Sequence, residues 1–210
     1  VENGLTCDVI RNPMHPYTRG LLNSAPGLFP FKDLWGIEGE VTSAGNGCAF
    51  FPRCCQREDR CLATVPPLQT VAIERQVACH RGGIETLLEA EGIYKFYSLG
   101  DRVVKAVQGT SIKIRSGEVV ALVGESGSGK STLAHVLAGV FPPQKGQVSF
   151  RGQPVERHRA TRIMGGMQIV FQDPFSSTSH RFSVLEAVRE PLDILHWGNT
   201  REKDKQIAQV

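Results

Sequence analysis

Glu118-Val119-Val120-Ala121-Leu122-Val123-Gly124-Glu125-Ser126-Gly127-Ser128-Gly129-Lys130-Ser131-Thr132-Leu133 is the stretch on which the reading of this chain turns. Its apolar run, Val119 to Val123, reads as a strand of the fully buried kind. A glycine-rich turn follows, then a helix that opens on Gly129-Lys130-Ser131-Thr132. Gly124, Gly129, Lys130 and Ser131 fit G-x-x-x-x-G-K-[ST], the phosphate-binding P-loop or Walker A motif. Glycines let the main chain turn tightly and approach a polyphosphate closely. The turn then aims successive N–H groups at the anion, and the helix N-terminus adds its dipole. Gly124, Ser126, Gly127, Ser128, Gly129, Lys130, Ser131 and Thr132 are therefore the candidate nucleotide-binding residues. In this reading Lys130 reaches the β- and γ-phosphates and Ser131 holds Mg²⁺. The competing reading is a chance match in an ordinary strand–loop–helix unit. A bend standing wide open, or one crossed by a side chain that fills the hollow, would overturn the phosphate-binding reading.

Outward from the motif, the pattern alternates strands with helices and predicts an α/β fold. Upstream, Leu87 to Ile93, Val103 to Val107 and Ile112 to Ile114 read as strands, with a turn at Ser116-Gly117. Downstream, the helix from Lys130 to Ala138 closes on Gly139 in a C-cap role, and Phe141-Pro142-Pro143 makes a rigid exit. Gly146 to Phe150 is a further strand, with a hairpin turn at Arg151-Gly152. Met167 to Phe171 is another β-rich run, ending at Gln172-Asp173-Pro174. Ser183-Val184-Leu185-Glu186 is a capping box opening a helix that Pro191 should end or kink. Thr200 to Val210 reads as a polar, solvated helix.

Residues 47–80 carry the second informative pattern. Cys48, Cys54, Cys61 and Cys79 are spaced C-x5-C, C-x6-C and C-x17-C, with Cys55 and His80 beside them. Soft thiolates on a loop-rich segment suit a metal or iron–sulfur centre. The alternative is a small reduced domain whose cysteines serve as buried apolar groups. The spacing matches neither zinc ribbons nor the tight ferredoxin run. Cys55 reads as a supernumerary neighbour, Cys7 as a core or surface thiol, and His80 as a candidate ligand or a surface residue. Pro16 to Leu22 begins a short helix with Pro in its first turn, and Pro26 and Pro30 stop it. Arg81-Gly82-Gly83 reads as a joint, dividing the chain into residues 1–82 and 83–210.

Bulk properties set outer limits. The 210 residues are 40% hydrophobic and 21% charged, an ordinary globular composition. A net charge of +3 gives no argument for a nucleic-acid partner. No apolar run reaches the roughly 18 residues that a membrane helix needs. Val1-Glu2-Asn3-Gly4 lacks the basic-then-apolar pattern of a signal peptide, and a start without Met reads as a piece of a longer protein.

Residues 86–210 resemble the N-terminal half of an ABC transporter ATPase domain. Beyond the P-loop, Val170-Phe171-Gln172-Asp173-Pro174 is similar to that family's Q-loop, with Gln172 as its glutamine. Lys95-Phe96-Tyr97 resembles the segment whose aromatic ring stacks on adenine; Tyr97 is the matching position and Phe96 the alternative. Residues 1–80 resemble the C-terminal extension of oligopeptide/dipeptide transporter ATPases, through Asn12-Pro13-Met14-His15-Pro16-Tyr17-Thr18-Arg19-Gly20-Leu21-Leu22, Gly47-Cys48-Ala49-Phe50-Phe51-Pro52-Arg53-Cys54 and Ala78-Cys79-His80. The order, one ATPase's tail before the start of another, looks like a tandem protein sampled across its junction.

The resemblance implies an incomplete P-loop NTPase core preceded by a small irregular cysteine-bearing extension. It further implies ATP and Mg²⁺ as cofactors, with Ser131 and Gln172 at the metal and Lys130 and Gln172 as the catalytic-site residues. A [4Fe–4S] cluster is implied on Cys48, Cys54, Cys61 and Cys79; Cys55 stands where the family usually has Pro, leaving Cys54 and Cys55 as alternatives. Ser176 to Arg181 departs from the family's usual sequence after the Q-loop. Transmembrane permease subunits, a second ATPase domain (tandem or dimer) and, indirectly, a solute-binding protein are the implied partners. The implied location is peripheral, on the cytoplasmic face of the membrane, with import of peptides or similar small solutes as the task.

The sequence has no apolar run ending in Asp-Glu, no Leu-Ser-Gly-Gly and no switch histidine, so this piece is expected to bind nucleotide without turnover. The rival functions are a P-loop kinase or GTPase and a non-transport ABC-type ATPase. The first lacks its Asn-Lys-x-Asp or arginine lid, and the second leaves the Q-loop without a membrane partner.

Overall fold

The computed structural model describes residues 1–26, 36–40, 45–155, 166–173 and 181–209. A small three-stranded antiparallel sheet organises the first part. Its order is β1 (Glu2–Asn3), β3 (Arg75–Val77), β2 (Gln69–Ala72), so the beginning of the chain is stapled to residues more than seventy positions later. Around it lie the short helices α1 (Thr6–Arg11), α2 (Pro16–Ser24) and α3 (Asp59–Ala63), and a 3₁₀ turn at Phe51–Arg53.

The helix that opens on Pro16 forms as its sequence directs. Proline fits the first turn, and His15 caps it, its Nδ1 accepting from the Tyr17 amide at 3.0 Å. What holds this region together is a buried ion pair that the sequence reading missed. The Glu2 carboxylate, 1% exposed, accepts from the Met14 amide at 2.8 Å, the His15 amide at 3.0 Å and Arg75 Nε at 3.1 Å. Arg75 also donates to the Asn12 carbonyl at 2.8 Å. One carboxylate therefore fixes the backbone of Asn12-Pro13-Met14-His15 from below.

The second sheet has the antiparallel order β5-β4-β6-β7, built from β4 (Thr86–Leu99), β5 (Arg102–Arg115), β6 (Lys145–Phe150) and β7 (Gln153–Pro154). The long β4–β5 hairpin replaces three shorter expected strands, because β5 bends through shifts in register instead of breaking. Helix α4 (Lys130–Leu137) lays Leu133, Val136 and Leu137 on the sheet, where they meet Leu88, Ala90, Ile93, Val107 and Val148. The i, i+3, i+4 spacing puts those three on one face, and they make the core of this part. The helix ends as expected. Gly139 donates to the Val136 carbonyl and Val140 to that of His135, a Schellman closure with Gly139 left-handed.

Helices α5 (Val184–Ile194) and α6 (Thr200–Ile207) complete the described residues. The Ser183–Glu186 capping box is present in both directions. Pro191 does not end the helix: α5 continues through it to Ile194, with Leu195 donating to the Pro191 carbonyl at 3.1 Å. Ion pairs of Arg189 with Asp204 and of Lys203 with Asp193 tie α5 to α6.

Two expected strands are not strands. Residues 118–123 form no strand and pair with no described strand, and Val123 is 94% exposed. Residues 167–171 likewise pair with no described strand, and Val170 is 95% exposed. A fully apolar strand is stable only between neighbours on both sides, and no described strand lies beside either run. No described helix is long and apolar enough to cross a membrane.

Candidate functional site

The loop from Gly124 to Lys130 is held at its far end by α4. Gly129 is the helix N-cap, left-handed at φ +92°, and no side chain caps it. A Cβ there would run into the Ala106 carbonyl oxygen of β5, so glycine is needed for both reasons. The first helical bond is the Leu133 amide to the Gly129 carbonyl, at 2.8 Å. That leaves the amides of Lys130, Ser131 and Thr132 without acceptors among the described residues, as are those of Gly127 and Gly129. Ser128 alone turns its amide inward, to the Glu125 carbonyl at 3.2 Å. Unpaired donors at a helix start, backed by the helix dipole, make an anion site.

Lys130 departs from the sequence expectation of an open hollow. Its ammonium folds back across the bend and donates to the carbonyls of Gly124 (2.7 Å) and Glu125 (2.6 Å) and to Ser128 Oγ at 3.2 Å. The loop is thus crossed by a side chain, but by the one cation that the motif assigns to phosphate. The bonds it makes are solvent-exposed, so they exchange readily for bonds to an incoming anion. The positive charge thus belongs to the same loop as the unpaired amides.

Tyr97 lies half-buried on β4, opposite Val104. Ala106, which backs Gly129, is two residues further along the same strand as Val104, so the ring and the loop share one end of the hairpin. Tyr97 meets Phe141 edge-on at 6.5 Å, and the buried Lys95 sits 5.6 Å from the Tyr97 ring and 5.7 Å from that of Phe141. Lys95 is fixed there by the Pro142 carbonyl at 2.8 Å. Phe96 turns instead towards Tyr94, ring to ring at 6.0 Å. Gln172 is exposed, and no described hydrogen bond joins it to Lys130 or Ser131. Its neighbour Phe171 does reach α4, 6.0 Å from the His135 ring, and His135 in turn touches Phe141 at 5.4 Å. Periodicity could have suggested neither contact. Pro174 and Ser176 to His180 lie outside the described residues.

The cysteines divide sharply. Cys48, Cys54, Cys61 and Cys79 line one small cavity of about 20 Å³, together with His15, Phe50 and His80. The Cys48 amide donates to the Cys61 carbonyl at 2.7 Å, which brings those two loops together. Cys55 points elsewhere, its Sγ 3.7 Å from Ser116 Oγ. Between Cys54 and Cys55, then, it is Cys54 that joins the other three. Burial pushes the Cys54 thiol up to about 11, and the neighbouring Cys55, Cys79 and Cys48 push the same way. The donor chemistry fits a soft metal. The geometry does not: among the described residues no three Cys, His, Asp or Glu side chains stand at metal-binding spacing. The space, moreover, is on the order of one or two waters. The [4Fe–4S] expectation is therefore not supported by the arrangement of these thiols. His80 is already engaged, its Nε2 bonding the Thr64 carbonyl at 3.0 Å.

Comparison with known proteins follows the same division. Residues 107–210 match the family model described as ABC transporter, and residues 1–61 match that of the oligopeptide/dipeptide transporter C-terminal region. The oligopeptide transport ATP-binding protein OppD of Mycobacterium tuberculosis is 31% identical over 100% of this chain and 41% of its own length. The oligopeptide transport ATP-binding protein AppF of Bacillus subtilis is 32% identical over 60% of this chain and 42% of its own. A solved dimeric ATP-binding cassette bound to ADP and Pi is 24% identical, covering 59% of this chain and 55% of that one, with a TM-score of 0.49. The chain spans about two fifths of the length of these curated relatives. By the two family models, residues 107–210 belong to the ABC transporter family and residues 1–61 to the oligopeptide/dipeptide transporter C-terminal region.

Proposed function

We propose that this chain is part of an ATP-binding subunit that energises uptake of peptides or similar small solutes by ATP hydrolysis. The observation that carries the reading is the set of amides at Gly127 and Gly129 to Thr132 left without acceptors among the described residues, on the same loop whose Gly124 and Glu125 carbonyls hold the Lys130 ammonium. Lys130 grips the β- and γ-phosphates, Ser131 holds Mg²⁺, Gln172 senses both, and Tyr97 stacks on adenine, whose flat faces need no buried hydrogen bonds. Glycines 124, 127 and 129, with Ser126, Ser128 and Thr132, complete the cradle. Phosphoryl transfer is driven by charge stabilisation around the transferring group. Lys130 supplies one charge of that cage. This sequence has no apolar run ending in Asp-Glu and no Leu-Ser-Gly-Gly, which supports the reading that the stretch binds nucleotide without turning it over alone.

Residues 1–82 act as the extension of a preceding ATPase domain and residues 83–210 as the start of the next. The alignment with the Mycobacterium protein, which runs through both parts in one order, supports this tandem arrangement. Permease subunits at the cytoplasmic face of the membrane are the partners that the Q-loop at Gln172 would signal to. A non-transport ATPase is the weaker reading, because the extension matches a transporter model.

Cys48, Cys54, Cys61 and Cys79 are proposed as soft-metal ligands on the strength of their thiol chemistry alone, since neither their spacing nor the small space they share supports a centre. Anaerobic reconstitution with iron tests it: a visible absorbance band lost in Cys48→Ala is expected, and its absence in the parent ends the proposal. For the main reading, Lys130→Ala in the full-length protein should abolish ATP-dependent peptide uptake. Hydrolysis at the parent rate in that variant would contradict the role given to Lys130.

A further inference from the structure

The phosphate-binding loop is tethered at two ends. The far end is Gly129, seated against β5. The near end is the turn Arg115-Ser116-Gly117-Glu118, where β5 stops and the unpaired run to Gly124 begins. That turn closes on itself, with the Glu118 amide donating to the Arg115 carbonyl at 3.1 Å and the Arg115 amide to Glu118 Oε2 at 2.8 Å.

Residues of the cysteine-bearing extension then grip three consecutive positions of it. Arg115 Nη1 donates to Asn12 Oδ1 at 2.7 Å. The Arg19 guanidinium donates to the Ser116 carbonyl. Gly117 is left-handed at φ +67°, and a Cβ there would stand 2.8 Å from Cys55 Sγ and 2.9 Å from Arg19 Nη2. Ser116 is itself buried, its amide donating to the Glu85 carbonyl at 2.8 Å.

Arg19 is an expensive residue to place here. Its Nη1 is buried with no acceptor among the described residues, which costs stability that a purely structural contact would not need to spend. Between the two tethers, residues 118–128 pair with no described strand, and beyond the turn the hydrogen bonds described for them stay within the loop and its Lys130.

We infer that the extension positions the phosphate-binding loop of the segment after it, through a clasp of Asn12, Arg19 and Cys55 on the turn 115–118. The clasp makes nucleotide affinity at Lys130 dependent on the fold of the extension, and couples one ATPase domain's tail to the next domain's site. The inference rests on the nucleotide-binding reading above for its consequence, though not for its geometry.

The test uses the whole chain, with Arg19→Ala, Asn12→Ala and the conservative Arg19→Lys. Amide NMR follows Gly124, Gly127 and Gly129 without nucleotide, and a fluorescent ATP analogue is then titrated. Arg19→Ala and Asn12→Ala should shift the three glycine resonances and speed exchange of the Ser116 and Glu118 amides about tenfold, with Leu88 and Ile93 unchanged. Analogue affinity should fall about fivefold, and Arg19→Lys should recover part of it. If Arg19→Ala does not fold, Arg115→Gln removes the Asn12 bond from the other side and carries the same readouts. Binding by the parent with no response in any variant overturns the clasp and leaves nucleotide binding standing. Resonance shifts without any binding by the parent retain the clasp and overturn the nucleotide reading.

Discussion

Removing the Glu2 carboxylate should undo the extension. Its side chain is 1% exposed and that of Arg75 is 6% exposed, so neither partner has water to fall back on. In Glu2→Ala, Arg75 keeps only the Asn12 carbonyl, and the Met14 and His15 amides lose their acceptors. Breaking one side of such a buried pair costs about 3–5 kcal/mol, against a whole-domain stability of about 5–15 kcal/mol. Urea unfolding at pH 7, followed by circular dichroism and by hydrogen exchange in α2 and β3, would read the loss directly. Glu2→Ala combined with Arg75→Met should be less damaging than the sum of the two single changes, because an apolar pair leaves no stranded charge. A loss below about 1 kcal/mol in Glu2→Ala, or strict additivity in the double variant, would refute this reasoning. The effect should also reach the loop, since Glu2 and Arg75 fix the backbone from Asn12 to His15 and so set where Asn12 and Arg19 stand.

Gly129→Ala forces a side chain into a left-handed position and against the Ala106 carbonyl. It should cost about 1–3 kcal/mol from the strain alone and abolish ATP-analogue binding, as checked by urea midpoint and titration; unchanged affinity would contradict the placement of the loop on β5. Acid should weaken the extension in two stages. Burial lowers the pKa of His15 below its ordinary 6.5, with help from the N-terminal ammonium and against the pull of Glu2 and the Ala78 carbonyl. The neutral ring therefore contributes stability that is lost as pH falls below 6.5. Burial would raise the pKa of Glu2, but the Met14 amide, Thr18, the His15 amide and Arg75 outweigh it and hold the group below 4.5. Its contribution is intact above that value and lost as pH falls further. A urea midpoint that stays level from pH 7 to about pH 4.5 would contradict the His15 assignment, and one that stays level on further acidification would contradict that of Glu2.

Local chemistry made much of this structure legible in the sequence. Glycine punctuation, the Ser183–Glu186 box, the Schellman end at Gly139 and the proline-led helix at Pro16 are decided by neighbours within a few residues, and each forms where its residues direct. Long-range partners were invisible. Nothing near Glu2 announces Arg75, and nothing near Arg19 announces the Ser116 carbonyl. The apolar run from Val119 to Val123 misled for a related reason: its composition records burial by strands that no described residue provides. At the site, the motif named Lys130 and the glycines but could not foresee the ammonium lying on the Gly124 and Glu125 carbonyls. That depends on side-chain rotamers, which spacing does not encode. Cysteine spacing grouped four thiols that do share a cavity, while leaving open the choice between Cys54 and Cys55 that the fold decides.

The central claim is that the amides from Gly127 to Thr132 receive the phosphates of ATP. Titrating Mg·ATP into the ¹⁵N-labelled chain tests it most directly. The account predicts saturable shifts of the Gly127, Gly129, Lys130, Ser131 and Thr132 amides, absent with adenosine and lost in Lys130→Ala. Saturable shifts confined to other residues, or none at millimolar Mg·ATP, would contradict it.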